Sequence, residues 1–432
     1  MGKIKEYKER LRAHSKFNTV LNWGKLISIT GLSQILIQAI GFISGILIIR
    51  LMPVEEYALY TLANTMLGMM TVLSDGGITT GVMSEGGKVW KDNDKLGLVL
   101  STGLKLRKKF AIISLAITLP VLVYLLLKNN ASWLTTIMIV LSIIPAFYAS
   151  LSDSLLSVVP RLHQAILPFQ KNQVSVGVFR LILTALTIVI FPMSYIAVLA
   201  SGLPRVWGNF QLRKIVYGLT KKKDEVDTYV KKRILKVVYL VMPGSIYYAF
   251  SGQITVWLIS IFGDTENIAQ IGALSRLMMF ISVINSLLTQ LVMPRFARVE
   301  NDEGRVVKLF TIFVIVIFVF VFMIIGVAYL FSTEMLYIIG RNYSGLTFEL
   351  RLMVISSCMA FLSQSSYGML SSRGIIMNPY LFYSIISVTQ VICLLTLDLS
   401  QVSGVIYFSI YPAIVGFLCR VIHFYYFELK NK

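Results

Sequence analysis

The sequence is poor in cysteine, histidine and charged residues. Its 432 residues include three cysteines and three histidines, and only 14% are charged. A soluble domain carries roughly 25% charged residues. The cysteines all lie in apolar stretches, which suits packing better than disulfides or metal ligation, and the histidines are scattered without paired spacing. The composition argues against a disulfide-rich or metal-centred protein and is typical of a chain embedded in a bilayer.

Acidic residues are also scarce, with 21 Asp and Glu against 40 Lys and Arg, for a net charge of +19. Such an excess can indicate nucleic-acid binding. The placement of the charges along the chain argues against that function. No cleavable signal peptide is recognisable, because the chain opens on basic, partly amphipathic residues. We expect residues 1–25 to form a basic cytoplasmic tail.

Apolar residues are abundant, at 56% of the chain. A helix needs ~20 mostly apolar residues to cross ~30 Å of hydrocarbon. The sequence therefore predicts an all-α, polytopic membrane protein with about twelve transmembrane helices and no substantial soluble domain. The predicted spans are 26–50, 57–83, 109–127, 133–157, 174–192, 194–212, 236–262, 267–293, 308–331, 348–370, 376–397 and 402–427.

The distribution of Lys and Arg predicts the orientation of these spans. With the N-terminus in the cytoplasm, 32 of the 40 fall in cytoplasmic segments and only four at the exterior. Cytoplasmic loops of membrane proteins carry such an excess. We therefore expect a multi-pass protein of the inner (cytoplasmic) membrane with both termini cytoplasmic. Its basic segments would face anionic lipid, so nucleic acid is not needed as a partner.

The longest basic connection follows the sixth span and divides the chain into two sets of six helices. An even number per half means that both halves insert the same way up, as parallel repeats. Residues 201–208 and 409–416, in the sixth and twelfth spans, share the pattern S-x-x-P-x-x-x-G. We predict an N-lobe at 26–218, a basic cytoplasmic linker at 219–235 and a C-lobe at 236–432.

Arginines inside the spans are candidate cavity residues. An ionisable residue at the bilayer centre costs roughly 2.5–3.5 kcal/mol on insertion scales, so it usually faces a cavity. Arg205 and Arg276 each lie about ten residues into a span, too deep to snorkel comfortably. We predict that Arg205, Arg276 and Arg180 bind substrate. Asn209, four residues after Arg205 on the same helix face, and Gln38, on the first helix, are predicted to bind it as well. Snorkelling or helix–helix hydrogen bonding is the alternative for such residues.

Arg420 fits that alternative well, because it lies near the cytoplasmic end of its span. Asp75 and Asp153 are the two carboxylates well inside spans, and either could couple transport to H⁺ or Na⁺. A salt bridge with Arg180, or a helix-end contact, is the alternative for each. Arginine outnumbers Asp and Glu inside the membrane, and its planar fork suits phosphate, so the inferred substrate is anionic. We expect no cofactor and no bound metal.

Two stretches resemble a known family. Residues 49–60 read I-R-L-M-P-V-E-E-Y-A-L-Y, and residues 73–77 read L-S-D-G-G. They are similar to the R-L-L-G-P-E-E-Y-G-L-Y and L-S-D-L-G of the polysaccharide transporter family. That family holds the O-antigen and exopolysaccharide flippases of the multidrug/oligosaccharidyl-lipid/polysaccharide exporter superfamily. Residues 272–277 and 294–298 look like its later Y-x-x-A-x-R-L and P-x-x-A segments. Four positions depart from the pattern: Met52, Ala58, Gly76 and Gln253, the last where the family often has Asp.

The resemblance implies two lobes around a V-shaped central cavity that alternates its access. It implies transfer of an undecaprenyl-diphosphate-linked oligosaccharide from the inner to the outer leaflet, with cationic residues holding the diphosphate. A polysaccharide polymerase or glycosyltransferases would be partners of such a flippase.

Two other functions compete with this one. A cation-coupled drug or small-molecule exporter of the same superfamily would be expected to carry acidic residues in its lumen. A polysaccharide-assembly membrane enzyme would need a sizeable exterior loop or soluble domain, and the sequence has no recognisable nucleotide-binding loop. A major-facilitator carrier is disfavoured because its G-x-x-x-D-R/K-x-G-R/K pattern is absent between the second and third spans.

Overall fold

The computed structural model describes residues 15–251, 253–293, 296, 303–373, 375 and 377–430. Residues 1–14 of the predicted tail and most of the segment 294–298 lie outside the described residues. The part of the chain that the structure describes is helical, with short connections and no strand. This confirms the all-α prediction.

In the first half of the chain, the described residues form eight helices. They are α1 (Ser15–Leu51), α2 (Val54–Asp75), α3 (Ile78–Lys88), α4 (Asn93–Lys128), α5 (Trp133–Leu156), α6 (Val158–Leu162), α7 (Ile166–Ile190) and α8 (Ser194–Tyr217). We call the side of the bundle at which α1 begins the terminal side, and the other the opposite side.

Nine helices follow in the described residues of the second half. They are α9 (Thr228–Ser251), α10 (Ile254–Phe262), α11 (Thr265–Leu277), α12 (Met279–Leu287), α13 (Glu303–Leu330), α14 (Ser332–Ile339), α15 (Thr347–Ser372), α16 (Pro379–Thr396) and α17 (Val402–Lys430). A π-helical turn, Leu288–Val292, continues α12, and a 3₁₀ turn, Arg341–Tyr343, follows α14.

The helices account for all twelve predicted spans. Within the described residues, nine helical segments are by themselves long and apolar enough to cross a membrane. The other three predicted spans, 57–83, 194–212 and 348–370, correspond to α2 with α3, to α8 and to α15. These helices carry more polar residues because they pack on several neighbours inside the bundle. A hydropathy criterion alone therefore undercounts the spans.

The second predicted span is broken where α2 meets α3. Gly76 and Gly77 have φ values of +50° and +95°, in the left-handed region that glycine adopts without steric penalty. The Gly76 N–H donates to the carbonyl oxygen of Val72 and ends α2. The seventh span is interrupted too, between α9 and α10, and the eighth bends at Met278. Continuous apolar runs in the sequence did not indicate these interruptions.

The third span is longer than predicted. Instead of 109–127, α4 covers 36 residues from Asn93, which at ~1.5 Å per residue is about 54 Å. The Asp92 side chain caps its first turn by accepting hydrogen bonds from the N–H groups of Asp94 and Lys95. Since the hydrocarbon core is only ~30 Å thick, α4 projects well beyond it on the terminal side.

The two halves repeat one packing pattern. The sixth helix of the first half, α8, packs on α5 and α7, and its counterpart α17 packs on α15 and α16. The shared S-x-x-P-x-x-x-G pattern lies at these contacts. A Cβ added to Gly208 would clash with Val176 of α7, and one added to Gly416 would lie 3.0 Å from Ser363 Oγ of α15. The pattern therefore marks a close approach of the sixth helix to a neighbouring helix in each half.

The outer surface is apolar. On α13, Val319, Phe322 and Leu330 are 65%, 68% and 79% exposed, and α4 similarly exposes Ile112 and Ile113. Such a continuous apolar surface suits lipid rather than water. The protein is therefore a multi-pass membrane protein, with outward-facing apolar helices at the third position of each half. Its orientation and its lobe boundaries stay predictions.

Contacts join the halves on the opposite side. Arg50, at the end of α1, donates from Nε to the Ile338 carbonyl oxygen at 2.9 Å and from Nη2 to that of Tyr337 at 2.6 Å. Asn129 Nδ2 donates to Ser260 Oγ at 2.9 Å. Deeper in the bundle, α2 packs along α11. Near the terminal side, α9 packs on α3 and α4.

Candidate functional site

Three of the predicted arginines line one cavity. Arg180 from α7, Arg205 from α8 and Arg276 from α11 reach a cavity of about 190 Å³. The wall also includes residues of α1, α2, α5 and α12. The sequence places these arginines in three separate spans, and the fold brings them together.

Two glycines of α1 make room for the arginines. A Cβ added to Gly41 would lie 3.3 Å from Nη2 of Arg180. A Cβ added to Gly45 would lie 3.1 Å from Cδ of Arg276. Because the two glycines are four residues apart, they lie on one face of α1. The side chains of Arg180 and Arg276 pack against this face, which carries no side chain at either glycine.

The three guanidinium groups differ in how firmly they are held. The hydroxyls of Tyr57 and Tyr60 lie within hydrogen-bonding reach of Arg276, which also contacts Met279 Sδ. Arg180 is half-buried, and its Nε is buried with no hydrogen-bond partner. Arg205 is exposed to the space around it. Arg276 is thus held in place by its neighbours, whereas Arg180 and Arg205 have donors available for a ligand.

The cavity wall is cationic and incompletely hydrogen-bonded. It includes no Asp or Glu, and no described carboxylate lies within 4 Å of Arg180, Arg205 or Arg276. Besides Arg180 Nε, two buried wall atoms have no partner: Asn64 Nδ2 and Thr184 Oγ1. Buried polar atoms are nearly always hydrogen-bonded, so these donors are available to a ligand or to water. The chemistry of these donors suits an oxyanion such as phosphate.

Asn209 and Gln38 do not line this cavity. Asn209 is buried, donates from Nδ2 to the Ala149 carbonyl oxygen at 3.2 Å, and accepts from Arg213 Nε at 3.0 Å. It therefore joins α8 to α5. Gln38 lies on α1 and is half-buried. A substrate role for either residue stays a prediction.

Asp75 lies at the break between α2 and α3. Its Oδ1 is 3.0 Å from Arg107 Nη1 and accepts from Thr79 Oγ1 at 2.5 Å and from the Thr79 N–H at 3.2 Å. Arg107 is only 2% exposed and also donates to Ser154 Oγ. Asp75 thus makes both a helix-end contact and an ion pair, but the partner is Arg107 and not Arg180. Ion coupling by Asp75 is not tested by this geometry.

Asp153 is half-buried on α5. Gln173 hydrogen-bonds to it, and the charges of Arg205, Arg161 and Arg107 act on it. Asp153 therefore belongs to the electrostatic surroundings of the arginine cavity without forming part of its wall. Within the described residues, no group of three or more His, Cys, Asp or Glu side chains is arranged to hold a metal.

Sequence reasoning missed Arg107, Tyr57 and Tyr60 as partners of site residues. It treated Arg107 as a loop residue, although the Asp92 cap signature could have placed the start of α4 earlier. The family-like stretch 49–60 included both tyrosines without giving them a role. Its Glu56 accepts the Ser194 N–H at 2.6 Å and so caps α8, the helix that carries Arg205.

A second cavity lies in the other half. Its volume is about 580 Å³, and its wall includes Tyr247, Tyr383 and Gln390. Arg420 also lines it, with its guanidinium 5.0 Å from the Tyr367 ring and 4.6 Å from the Phe382 ring. Arg420 Nη1 donates to Ser363 Oγ at 2.6 Å. Arg420 is therefore enclosed by helix-to-helix contacts, and this cavity is aromatic where the first is cationic.

Solved structures share this architecture. No protein-family model and no curated protein matches the chain. An inward-facing multidrug resistance MATE family transporter of the MOP superfamily aligns with a TM-score of 0.66 at 16% identity, over 89% of this chain and 94% of that one. An outward-facing structure of such a transporter aligns with a TM-score of 0.63 at 16% identity, over 92% and 95%.

A third structure is a MOP superfamily transporter from Pyrococcus furiosus, described as having a binding pocket of reverse polarity that suggests a different function. It aligns with a TM-score of 0.62 at 15% identity, over 91% of this chain and 94% of that one. These likenesses span nearly the whole of each chain. The protein therefore has the two-lobed, twelve-helix fold of the MOP superfamily transporters.

Proposed function

We propose that the protein is a membrane transporter that moves a lipid-diphosphate-linked oligosaccharide across the cytoplasmic membrane by alternating access. The observation that carries the proposal is the cavity lined by Arg180, Arg205 and Arg276 without an acidic residue in its wall. As the resemblance implies, transfer would run from the inner to the outer leaflet. The glycosyltransferases that build such a glycan, or a polymerase that extends it, would be its functional partners.

The charge of the cavity favours a diphosphate. Three guanidinium groups in one low-dielectric site repel one another unless an anion is present. A guanidinium donates two parallel hydrogen bonds to phosphate, and charge-assisted bonds of this kind are roughly twice as strong as neutral ones. The unsatisfied donors on Arg180, Asn64 and Thr184 supply further sites for phosphate oxygens. A volume of about 190 Å³ is small for a whole drug-sized ligand, so it suits the diphosphate alone.

The resemblance to polysaccharide transporters supports the same cargo. Tyr57 and Tyr60 of the family-like stretch lie beside Arg276, so that stretch shapes the cavity. Solved structures of this fold have been described both inward-facing and outward-facing, which supports alternating access. The structure with a pocket of reverse polarity supports the view that one fold can serve pockets of different charge.

Export of organic cations is the second candidate, because the first two of these structures are multidrug resistance transporters. An organic cation needs a carboxylate or an aromatic cage for recognition. In the part of the chain that the structure describes, no acidic residue lines the arginine cavity or the aromatic cavity. The aromatic cavity also contains Arg420, whose charge opposes cation binding. These features favour an anionic cargo.

The proposal can be tested with purified protein in liposomes. The probe is a polyprenyl-diphosphate disaccharide carrying a fluorophore on the sugar, and the readout is loss of fluorescence when a membrane-impermeant quencher is added. We expect the wild-type protein to equilibrate the probe between leaflets. The double variant Arg205→Gln/Arg276→Gln should slow this at least about 10-fold, the effect of losing roughly 1.4 kcal/mol of binding.

Arg351→Gln is the matched control. Arg351 lies on α15 at the opposite side, where its guanidinium stacks 4.0 Å from the Tyr329 ring, away from the cavity. This variant should transport at the wild-type rate. Transport of a cationic dye driven by a pH gradient, with the probe left untransported, would overturn the proposal in favour of a drug exporter.

A further inference from the structure

A second charged pocket lies on the terminal side of the first half. Its volume is about 270 Å³, and its walls come from α4, α5, α8 and the segment 219–227 that connects α8 to α9. None of the three cavity arginines lines it. The pocket is therefore distinct from the proposed transport site, and a ligand bound in it would not depend on the proposed function.

The connecting segment is fixed onto α4. Thr220 Oγ1 donates to the Asn93 carbonyl oxygen at 2.7 Å, and Ser101 Oγ donates to the Glu225 carbonyl oxygen at 2.7 Å. The Asp227 N–H donates to Thr102 Oγ1 at 3.3 Å. These bonds hold both ends and the middle of the segment. The pocket is therefore a built feature and not a gap under a free loop.

Ion pairs add to this attachment. Lys221 Nζ and Lys223 Nζ lie 2.8 Å and 3.0 Å from the two carboxylate oxygens of Asp94. Hydrogen bonds from these two lysines hold the pKa of Asp94 below its ordinary value. Asp94 is thus charged at neutral pH, and it neutralises part of the positive charge at the pocket.

A large positive charge nevertheless remains in the pocket. Among the described residues, its wall has one acidic member, Asp224, against six basic ones: Lys105, Arg107, Lys108, Arg213, Lys222 and Lys223. Arg107 is paired with Asp75, and Lys223 with Asp94. No described carboxylate lies within 4 Å of Lys108, Arg213 or Lys222. Lys105 has no such carboxylate either, and its Nζ donates to the Asp224 carbonyl oxygen, so four of the six cations converge on one pocket without a carboxylate partner.

The pocket also has an apolar side. Tyr148 of α5 lines it and is 57% exposed, and Leu104 and Tyr217 line it half-buried. A soluble anion would gain nothing from these groups, whereas an acyl chain would cover them. Basic pockets between helices on the cytoplasmic side are sites at which anionic lipid headgroups bind.

We propose that this pocket binds the phosphate headgroup of an anionic phospholipid, with an acyl chain along Tyr148. Lys108, Arg213 and Lys222 surround the phosphate. Since α4, α8 and the connecting segment all contribute to the walls, a bound lipid would cross-link them. The same chemistry could come from a soluble phosphate ester, and the experiment separates the two sources.

The test uses the full-length protein in a neutral detergent, with bound lipid counted by native mass spectrometry during titration with phosphatidylglycerol or phosphatidylcholine. We expect one phosphatidylglycerol to bind at least about 10-fold more tightly than phosphatidylcholine. The double variant Lys108→Gln/Lys222→Gln should bind phosphatidylglycerol at least about 10-fold more weakly. Tyr148→Ser, on the lipid-facing wall, should weaken it by a smaller factor. Glycerol 3-phosphate in millimolar excess should not displace it.

The matched control is Lys231→Gln/Lys232→Gln, which removes the same charge from α9, on the same side but outside the pocket. It should leave binding within about 2-fold of the wild type. An equal loss of phosphatidylglycerol binding in both double variants would mean that the lipid is attracted by diffuse positive charge, which would overturn the proposed site. Displacement by glycerol 3-phosphate would overturn the lipid and indicate a soluble phosphate ester. Circular dichroism checks that each variant is folded.

Discussion

Removing the Arg50 side chain should loosen the opposite side of the molecule. Arg50 makes two hydrogen bonds from the first half to the carbonyl oxygens of Tyr337 and Ile338 in the second half, and its guanidinium lies 5.8 Å from the Tyr337 ring. A hydrogen bond to a charged group contributes about 1.5–3 kcal/mol, and an exposed cation–π contact about 0.5–1 kcal/mol. Because Arg50 is exposed to solvent and screened, we take the total as about 1–2 kcal/mol.

An energy of that size changes a conformational ratio by a factor of about 5–30. The Arg50→Gln variant should therefore populate a form in which the halves are separated on this side. Spin labels at Asn130 in the first half and Glu334 in the second half, both exposed, would report the distance by double electron–electron resonance. The expected result is a longer-distance population that is minor or absent in the wild type.

Arg341→Gln is the control for this measurement. Arg341 lines the same groove as Arg50, yet within the described residues its side chain makes no hydrogen bond to the first half. It removes the same charge without removing the contact, so its distance distribution should match that of the wild type. Equal shifts in both variants would refute the reasoning, because the effect would then come from charge and not from the two bonds. Unchanged distances in Arg50→Gln would refute it as well.

The cavity, the helix break and the charge distribution each yield a further prediction. Arg205→Gln should weaken pyrophosphate binding about 10- to 100-fold by calorimetry with little change in unfolding temperature, and Arg205→Lys should recover part of the affinity. Asp75→Asn should reduce the free energy of unfolding by about 3 kcal/mol, seen as a lower unfolding temperature, because the substitution leaves buried Arg107 unpaired. Adding Arg107→Met to this variant should restore the stability. An Asp75 that couples ions would instead keep stability and lose gradient-driven accumulation. Single cysteines at Lys222 and Ser400 should label from opposite sides of the membrane, and same-side labelling would contradict twelve spans.

The sequence predicted the number of membrane crossings because each depends on about twenty consecutive residues. It did not predict where a crossing is interrupted. The break at Gly76–Gly77 depends on two backbone angles and on the space beside Val241, where a Cβ on Gly77 would lie 2.9 Å away. The predicted start of α4 is too late because its polar first turns are typical of a loop. Length and hydropathy fix spans, whereas local turns and caps fix their ends.

The sequence also singled out the three arginines that line the cavity, because depth in the membrane is a local property, whereas substrate binding by them stays a prediction. It could not supply their partners, since partners come from other helices. Arg276 faces Tyr57 and Tyr60 across the contact between α11 and α2, and Asp75 pairs with Arg107 from α4. Asn209 lies on the same helix face as Arg205, yet its side chain joins two helices and does not line the cavity. Helical periodicity alone does not separate these two uses.

The arginine cavity is built from both halves, and this has a mechanical consequence. Arg180 and Arg205 come from α7 and α8 of the first half, whereas Arg276 comes from α11 of the second and reaches the cavity because α11 packs along α2. Any motion that separates α11 from α2 withdraws one of three like charges. Without an anion, repulsion among the three guanidinium groups favours separation of α11 from α2. A bound anion favours the arrangement in which these helices stay packed, because it bonds to all three arginines. By linkage, a ligand that binds one arrangement better stabilises it by that difference in affinity. If the cavity binds an anion as proposed, the same geometry lets the anion bias the relative position of the two halves.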